Sequence, residues 1–94
     1  MRIDKFLWFA RITKTRALAQ SLAEAGHIRI DGRRIDRAHA IVKPGDIITM
    51  MIHDRLRVLR VEALPIRRGP TAEARRFYID LAGDFAVDDS AGES

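Results

Sequence analysis

Hydrophobic positions in the first quarter of the chain recur at helical spacing. Ile3, Phe6, Leu7 and Ala10 fall at i, i+3, i+4 and i+7, which predicts a helix over residues 3–12. A second helix is expected to begin with Thr13 or Thr15 as its N-cap and to carry Leu18, Leu22 and Ala25 on one stripe. Gly26 is placed to end it as the C′ residue. Residues 17–25, rich in alanine and leucine, have high intrinsic helix propensity.

From residue 27 the period shortens to two. His27-Ile28-Arg29-Ile30 alternates, Asp31-Gly32 suits the positive φ angles of a type I′ turn, and Arg33-Arg34-Ile35 returns as the second strand of a hairpin. Residues 36–43 carry no period, and Pro44-Gly45-Asp46 signals a turn. The apolar run Ile47–Ile52 reads as a strand, His53-Asp54-Arg55 as a reversal, and residues 56–63 as a last strand. Pro65, Gly69 and Pro70 then mark a loop holding Arg67 and Arg68. Thr71 is expected to cap a short helix running through Tyr78, from which Phe77 and Tyr78 would cover the sheet. From residue 83 the chain is rich in Asp, Ser, Gly and Glu, the composition of a disordered acidic tail. The expected fold is α+β: two N-terminal helices packed on a small, mostly antiparallel sheet, with a short C-terminal helix.

Length and composition narrow the function classes. Ninety-four residues leave room for one small domain. The absence of cysteine excludes a disulfide framework, a thiolate zinc site and a cysteine nucleophile. No apolar run approaches the ~18–20 residues of a membrane helix, so no membrane contact is expected and the cytoplasm is the expected location.

Charge says more. All seventeen Lys and Arg residues lie within residues 1–76 together with eight acids, whereas the remaining five acids follow without a base. A basic body of this kind points to a polyanionic partner, with nucleic acid first among them. Within residues 2–43 ten bases face four acids.

Their placement is informative. Arg11, Lys14 and Arg16 gather at the junction of the two helices. There the free N–H groups of a helix start favour phosphate, while the helix dipole disfavours bases. Arg29, Arg33, Arg34, Arg37 and Lys43 continue along the hairpin and the aperiodic segment, and arginine suits bidentate contact to phosphate. Trp8 lies off the apolar stripe and fits either a nucleobase or the strand layer. Asp4 reads as structural, capping the first helix or pairing with Arg11 or Arg16 across the helices. Asp31, Asp36 and Asp46 read as turn residues.

Catalytic patterns are missing. His27, His39 and His53 have no ligand spacing, and there is neither a glycine-rich phosphate loop nor a nucleophile triad. No enzymatic activity, cofactor or metal is expected.

Arg2-Ile3-Asp4-Lys5-Phe6-Leu7, then Arg11, Thr15-Arg16-Ala17, Ala19 and Gly26 form an ordered series. It continues through Ile28-Arg29-Ile30-Asp31-Gly32 and Pro44-Gly45-Asp46 with Ile48. Over about residues 2–51 this series resembles the S-four RNA-binding domain, the alpha-L motif. The stretches Asp4-Lys5-Phe6-Leu7-Trp8 and Lys14-Thr15-Arg16-Ala17-Leu18-Ala19 are most similar to its free-standing, ribosome-associated members, small heat-shock and ribosome-quality-control proteins. The expected organisation is an S-four-like RNA-binding domain with a strand extension over residues 1–63, a loop and short helix over 64–82, and the tail over 83–94, where the chain departs from the resembled proteins. The resemblance implies binding to ribosomal RNA and tRNA on free large subunits that still carry a nascent chain; separately, a monomer is expected. The RNA-contacting residues it implies are Arg2, Lys5, Arg11, Lys14, Thr15, Arg16, Gln20, Arg29, Arg33, Arg34 and Lys43.

Two other readings compete. A DNA-binding regulator would use the same helix–turn–helix unit, although the second helix offers few side chains for base edges. A protein-interaction adaptor would use the apolar strand Ile47–Ile52, which is more simply core.

Overall fold

Helix α1 (Ile3–Phe9) stops earlier than its periodicity suggests. Arg11 turns to a φ of 59°, and the N–H groups of Ile12 and Thr13 both return to the Leu7 carbonyl at 2.9 and 3.2 Å. The β-branched pair Ile12-Thr13 is poorly suited to continue a helix. Both side chains are nevertheless buried, and the Thr13 hydroxyl donates to the Thr15 carbonyl at 3.0 Å, so the connection is tightly packed. The start of α1 has no side-chain cap. Its free N–H groups are met by distant carbonyls, Ile3 donating to Ala40 at 2.7 Å and Asp4 to Ala38 at 3.3 Å.

Helix α2 (Arg16–Glu24) takes Thr15 rather than Thr13 as its N-cap, the hydroxyl accepting from the Leu18 N–H at 3.0 Å. Gly26, at φ +78°, ends it: Gly26 N–H bonds Ala23 O and His27 N–H bonds Leu22 O, the paired bonds of a Schellman cap. The inward stripe differs from expectation. Ala19 and Ala23 are fully buried, Leu18 and Leu22 only partly, and Ala25 is exposed. Small side chains let α2 approach α1 closely.

The structure, a computed structural model, describes residues 1–81; the tail expected over 83–94 lies outside them. Five antiparallel strands form one sheet. In chain order they are β1 (Ile28–Ile30), β2 (Arg33–Arg34), β3 (Ile47–Ile52), β4 (Arg55–Val61) and β5 (Tyr78–Asp80), arranged β2-β1-β3-β4-β5. Asp31-Gly32 and His53-Asp54 both turn at positive φ, as type I′ hairpins require. Ile28, Ile48, Met50, Ile52, Leu59 and Val61 face the helices and meet Ile3, Phe6, Leu7, Ala19, Ala23 and Val42 in one core. The strand Ile47–Ile52 is thus central, paired on both sides, with Ile48, Met50 and Ile52 buried.

The C-terminal part departs from expectation. Helix α3 (Thr71–Ala74) is a single turn preceded by Pro70, with no side-chain cap from Thr71, and it runs into a 3-10 turn over Arg75–Phe77. Tyr78 then enters β5 opposite Val61. β4 is therefore not the last strand. Its edge left backbone groups unpaired, and the aromatic and β-branched pair Tyr78-Ile79 is suited to fill it.

Candidate nucleic-acid interface

A buried carboxylate organises the helical half of the basic surface. Asp4 is fully buried, and it accepts from Arg2 through Nε at 3.1 Å and Nη2 at 3.0 Å. Arg16 Nε at 3.4 Å and Gln20 Nε2 at 3.3 Å reach the same group from one face of α2. Its own turn adds the Lys5 N–H at 2.7 Å. Burial alone would push the Asp4 carboxyl pKa up. The hydrogen bonds from Arg2, Gln20 and the Lys5 N–H, with the positive charge of Arg2, outweigh it and hold the group below its ordinary value.

Of the two pairings expected for Asp4, the one with Arg16 forms and the one with Arg11 does not. The arginines keep their outer edges in solvent, with side chains 44% and 38% exposed. Arg2, Arg16 and Gln20 are thus brought together and aimed by one anchor. Lys5 sits beside them on α1 with Nζ 5.4 Å from the Phe9 ring centroid.

The remaining candidates fall in three places. Lys14 is exposed in the connection between the helices, and Thr15 is occupied as the cap of α2. Arg11 reaches away from Asp4 and donates through Nε to the Gly69 carbonyl. Arg29, Arg33 and Arg34 lie on the first hairpin, all exposed, with Arg29 directly opposite Arg34 in the register. Like charges facing each other across strands destabilise a sheet. Among the described residues no carboxylate pairs with any of the three. The Arg34 guanidinium lies against Gly26, where a Cβ would collide with it. Lys43 is 76% exposed, with Nζ 3.9 Å from Asp46, whose carboxylate caps the turn through the Lys43 N–H.

Trp8 is half-buried, tilted against Phe9 at 5.7 Å, with the Arg68 guanidinium 5.4 Å over its ring. Arg68 was absent from the expected set. Its only sequence signal was a pair of arginines in a proline-bounded loop, which carries no address. Asp4 was expected to be structural, but its role as a common anchor needed the close packing of the two helices to be seen. Among the described residues no cluster of three or more metal-binding side chains occurs.

This geometry agrees with comparisons to known proteins. The S4 domain model matches residues 1–48, and the chain belongs to that family. It is 35% identical over 82 residues to Heat shock protein 15 of Escherichia coli, covering 87% of this chain and 61% of that protein. The chain therefore spans about three-fifths of that relative's length. It is 41% identical over 64 residues to the RQC P-site tRNA stabilizing factor of Bacillus subtilis, covering 68% of this chain and 73% of that protein. The structure of Vibrio cholerae Heat Shock Protein 15, described as trimeric, superposes with a TM-score of 0.84 at 28% identity, over 97% of this chain and 91% of that one.

Proposed function

We propose that this chain is a non-enzymatic RNA-binding protein of the ribosome. It binds ribosomal RNA and tRNA on large subunits that carry a nascent chain, and so serves ribosome rescue, recycling or the response to heat. One observation carries the reading: an S4 domain whose exposed hairpin arginines have no carboxylate partner among the described residues, beside helices whose arginines are aimed by Asp4. Such a surface suits the phosphate geometry of folded RNA. The names of the Escherichia coli and Bacillus subtilis relatives support the ribosomal setting.

Arg2, Lys5, Lys14, Arg16, Gln20, Arg29, Arg33, Arg34 and Lys43 form the proposed contact surface, with Arg11 at its edge and Thr15 fixing the start of α2. One domain carries this whole surface, so the monomer is the proposed stoichiometry; analytical ultracentrifugation distinguishes it from the trimer of the Vibrio relative. No cofactor, metal or membrane enters this reading, and its location is cytoplasmic.

Sucrose-gradient fractionation tests the proposal. A tagged chain is expected to travel with free large subunits, most strongly where peptidyl-tRNA is retained. Recovery with the nucleoid, or wholly in the soluble fractions, would overturn it.

A further inference from the structure

Residues 64–77 lie beyond the segment that matches the S4 family, yet they are fastened to the expected binding face. Three contacts span nearly sixty residues of sequence. Arg11 on the helix connection donates to the carbonyl of Gly69, and Arg68 donates back to the carbonyl of Trp8 at 3.1 Å. The Arg68 guanidinium also sits over the Trp8 ring. The loop itself is closed by the ion pair of Arg67 with Glu73 at 2.8 Å, and Gly69 packs so close to that carboxylate that a Cβ would collide with it.

This exchange of arginines has an electrostatic consequence. It places two guanidinium groups at one junction, and among the described residues neither has a carboxylate partner. Both are held by neutral acceptors, so their positive charge is fully retained. Each bonds the protein through Nε, which fixes the plane of the group and leaves the Nη donors without a partner among the described residues. Arg67, one residue away, is the opposite case, its charge met by Glu73. Lys14, exposed and unpaired among the described residues, follows three positions after Arg11. Arg75 and Arg76, exposed on the 3-10 turn, add further positive charge to the same segment.

Oriented guanidinium groups with N–H donors to spare, and with the neighbouring Glu73 carboxylate already paired to Arg67, form a receptor for an oxyanion. Their orientation by the fold removes part of the ordering that binding would otherwise require. We propose that Arg11 and Arg68 together form a phosphate-binding site for the RNA backbone, built jointly by the α1–α2 connection and the C-terminal arm. The proposal rests on the RNA-binding reading and assigns it a contact outside the family-matched residues. The arm thus adds a phosphate contact to those proposed for the hairpin.

Fluorescence and salt-dependent binding test this with the full chain and a structured ribosomal RNA fragment. Trp8 is the sole tryptophan and lies under Arg68, so its emission reports on the site directly. RNA is expected to change Trp8 emission in the unaltered protein. Arg68→Gln keeps a donor for the Trp8 carbonyl but removes the charge. It is expected to weaken binding roughly tenfold at low salt and to lower the log–log salt slope by about 0.7–0.9. Arg68→Lys keeps the charge and is expected to keep the slope. Arg67→Gln makes the same change in net charge one residue away and is expected to have a much smaller effect.

The inference is overturned by RNA binding that leaves Trp8 emission unchanged, by unaltered affinity in Arg68→Gln, or by an equal loss in Arg67→Gln. A loss of slope in Arg68→Lys equally overturns it, because packing rather than charge would then be at work. Should Arg68→Gln fail to fold, the lysine variant and the emission change still decide. An unaltered protein that binds no RNA contradicts the RNA-binding reading itself, whereas binding without these signatures contradicts only the arm site.

Discussion

The helical and hairpin halves of the basic surface solve opposite problems. On the helices, Arg2, Arg16 and Gln20 converge on the buried Asp4, so the cations that face solvent are also part of the fold. On the hairpin, Arg29 and Arg34 face each other with no acid among the described residues to separate them. The first arrangement gives up net charge for fixed direction. The second keeps its full charge and sets two like charges face to face across the strands. Stability and affinity should therefore respond in different ways to changes in the two halves.

Asp4→Ala should have the largest effect. It removes the shared anchor from a fully buried position, and loss of charge-assisted bonds there costs about 2 kcal/mol, discounted because both arginines can rehydrate. For a domain of this size the expected fall in melting temperature is roughly 10 °C. The same group gives an acid limit. Because its folded pKa is depressed below the ordinary 3.8, its stabilisation is complete above that value and fades as pH falls through the lower folded pKa. In Asp4→Ala this part of the acid dependence should be missing from pH-resolved unfolding curves.

Arg29→Gln with Arg34→Gln should sharpen the comparison from the other side. RNA affinity is expected to fall and the salt slope to shrink by about 1.4–1.8 for two lost phosphate contacts. Melting temperature should stay level or rise, since a like-charged cross-strand pair is removed. A melting temperature that falls along with affinity would show that the hairpin arginines are structural, and the contrast would collapse. Lys43→Gln marks the small end. Its ion pair with the buried Asp46 is long, and the lysine itself is exposed, so melting should be unchanged within error and only a slight loss of RNA affinity is expected.

Local chemistry made much of the fold legible. Gly26, Asp31-Gly32 and His53-Asp54 act through their own backbone and nearest neighbours, so their roles follow from residue type and spacing, whereas the choice of Thr15 over Thr13 as the cap of α2 needed the structure. Strand β5 did not, because Tyr78 pairs only when the edge of β4 lies open beside it. The early end of α1 was hidden too: Ile12 continues the apolar character of the helix while the backbone has already turned. Among the candidate residues, exposure and charge were readable on the hairpin. The fates of Arg11 and Arg16 were not, since one reaches Gly69 and the other Asp4, and both partners are set by tertiary packing.

The capping of α1 by carbonyls of Ala38 and Ala40 bears on the order in which the molecule assembles. A seven-residue helix has little stability alone, and here its first N–H groups have no protein acceptor until the chain returns some 35 residues later. A peptide of residues 1–35 is therefore expected to show little helicity by circular dichroism. Helix α1 would thus gain its shape only after the crossing segment and strand β3 have formed, late relative to its place before them in the chain. The surface that carries Arg2 and Lys5 would then take its final shape only once the later segments have docked against it.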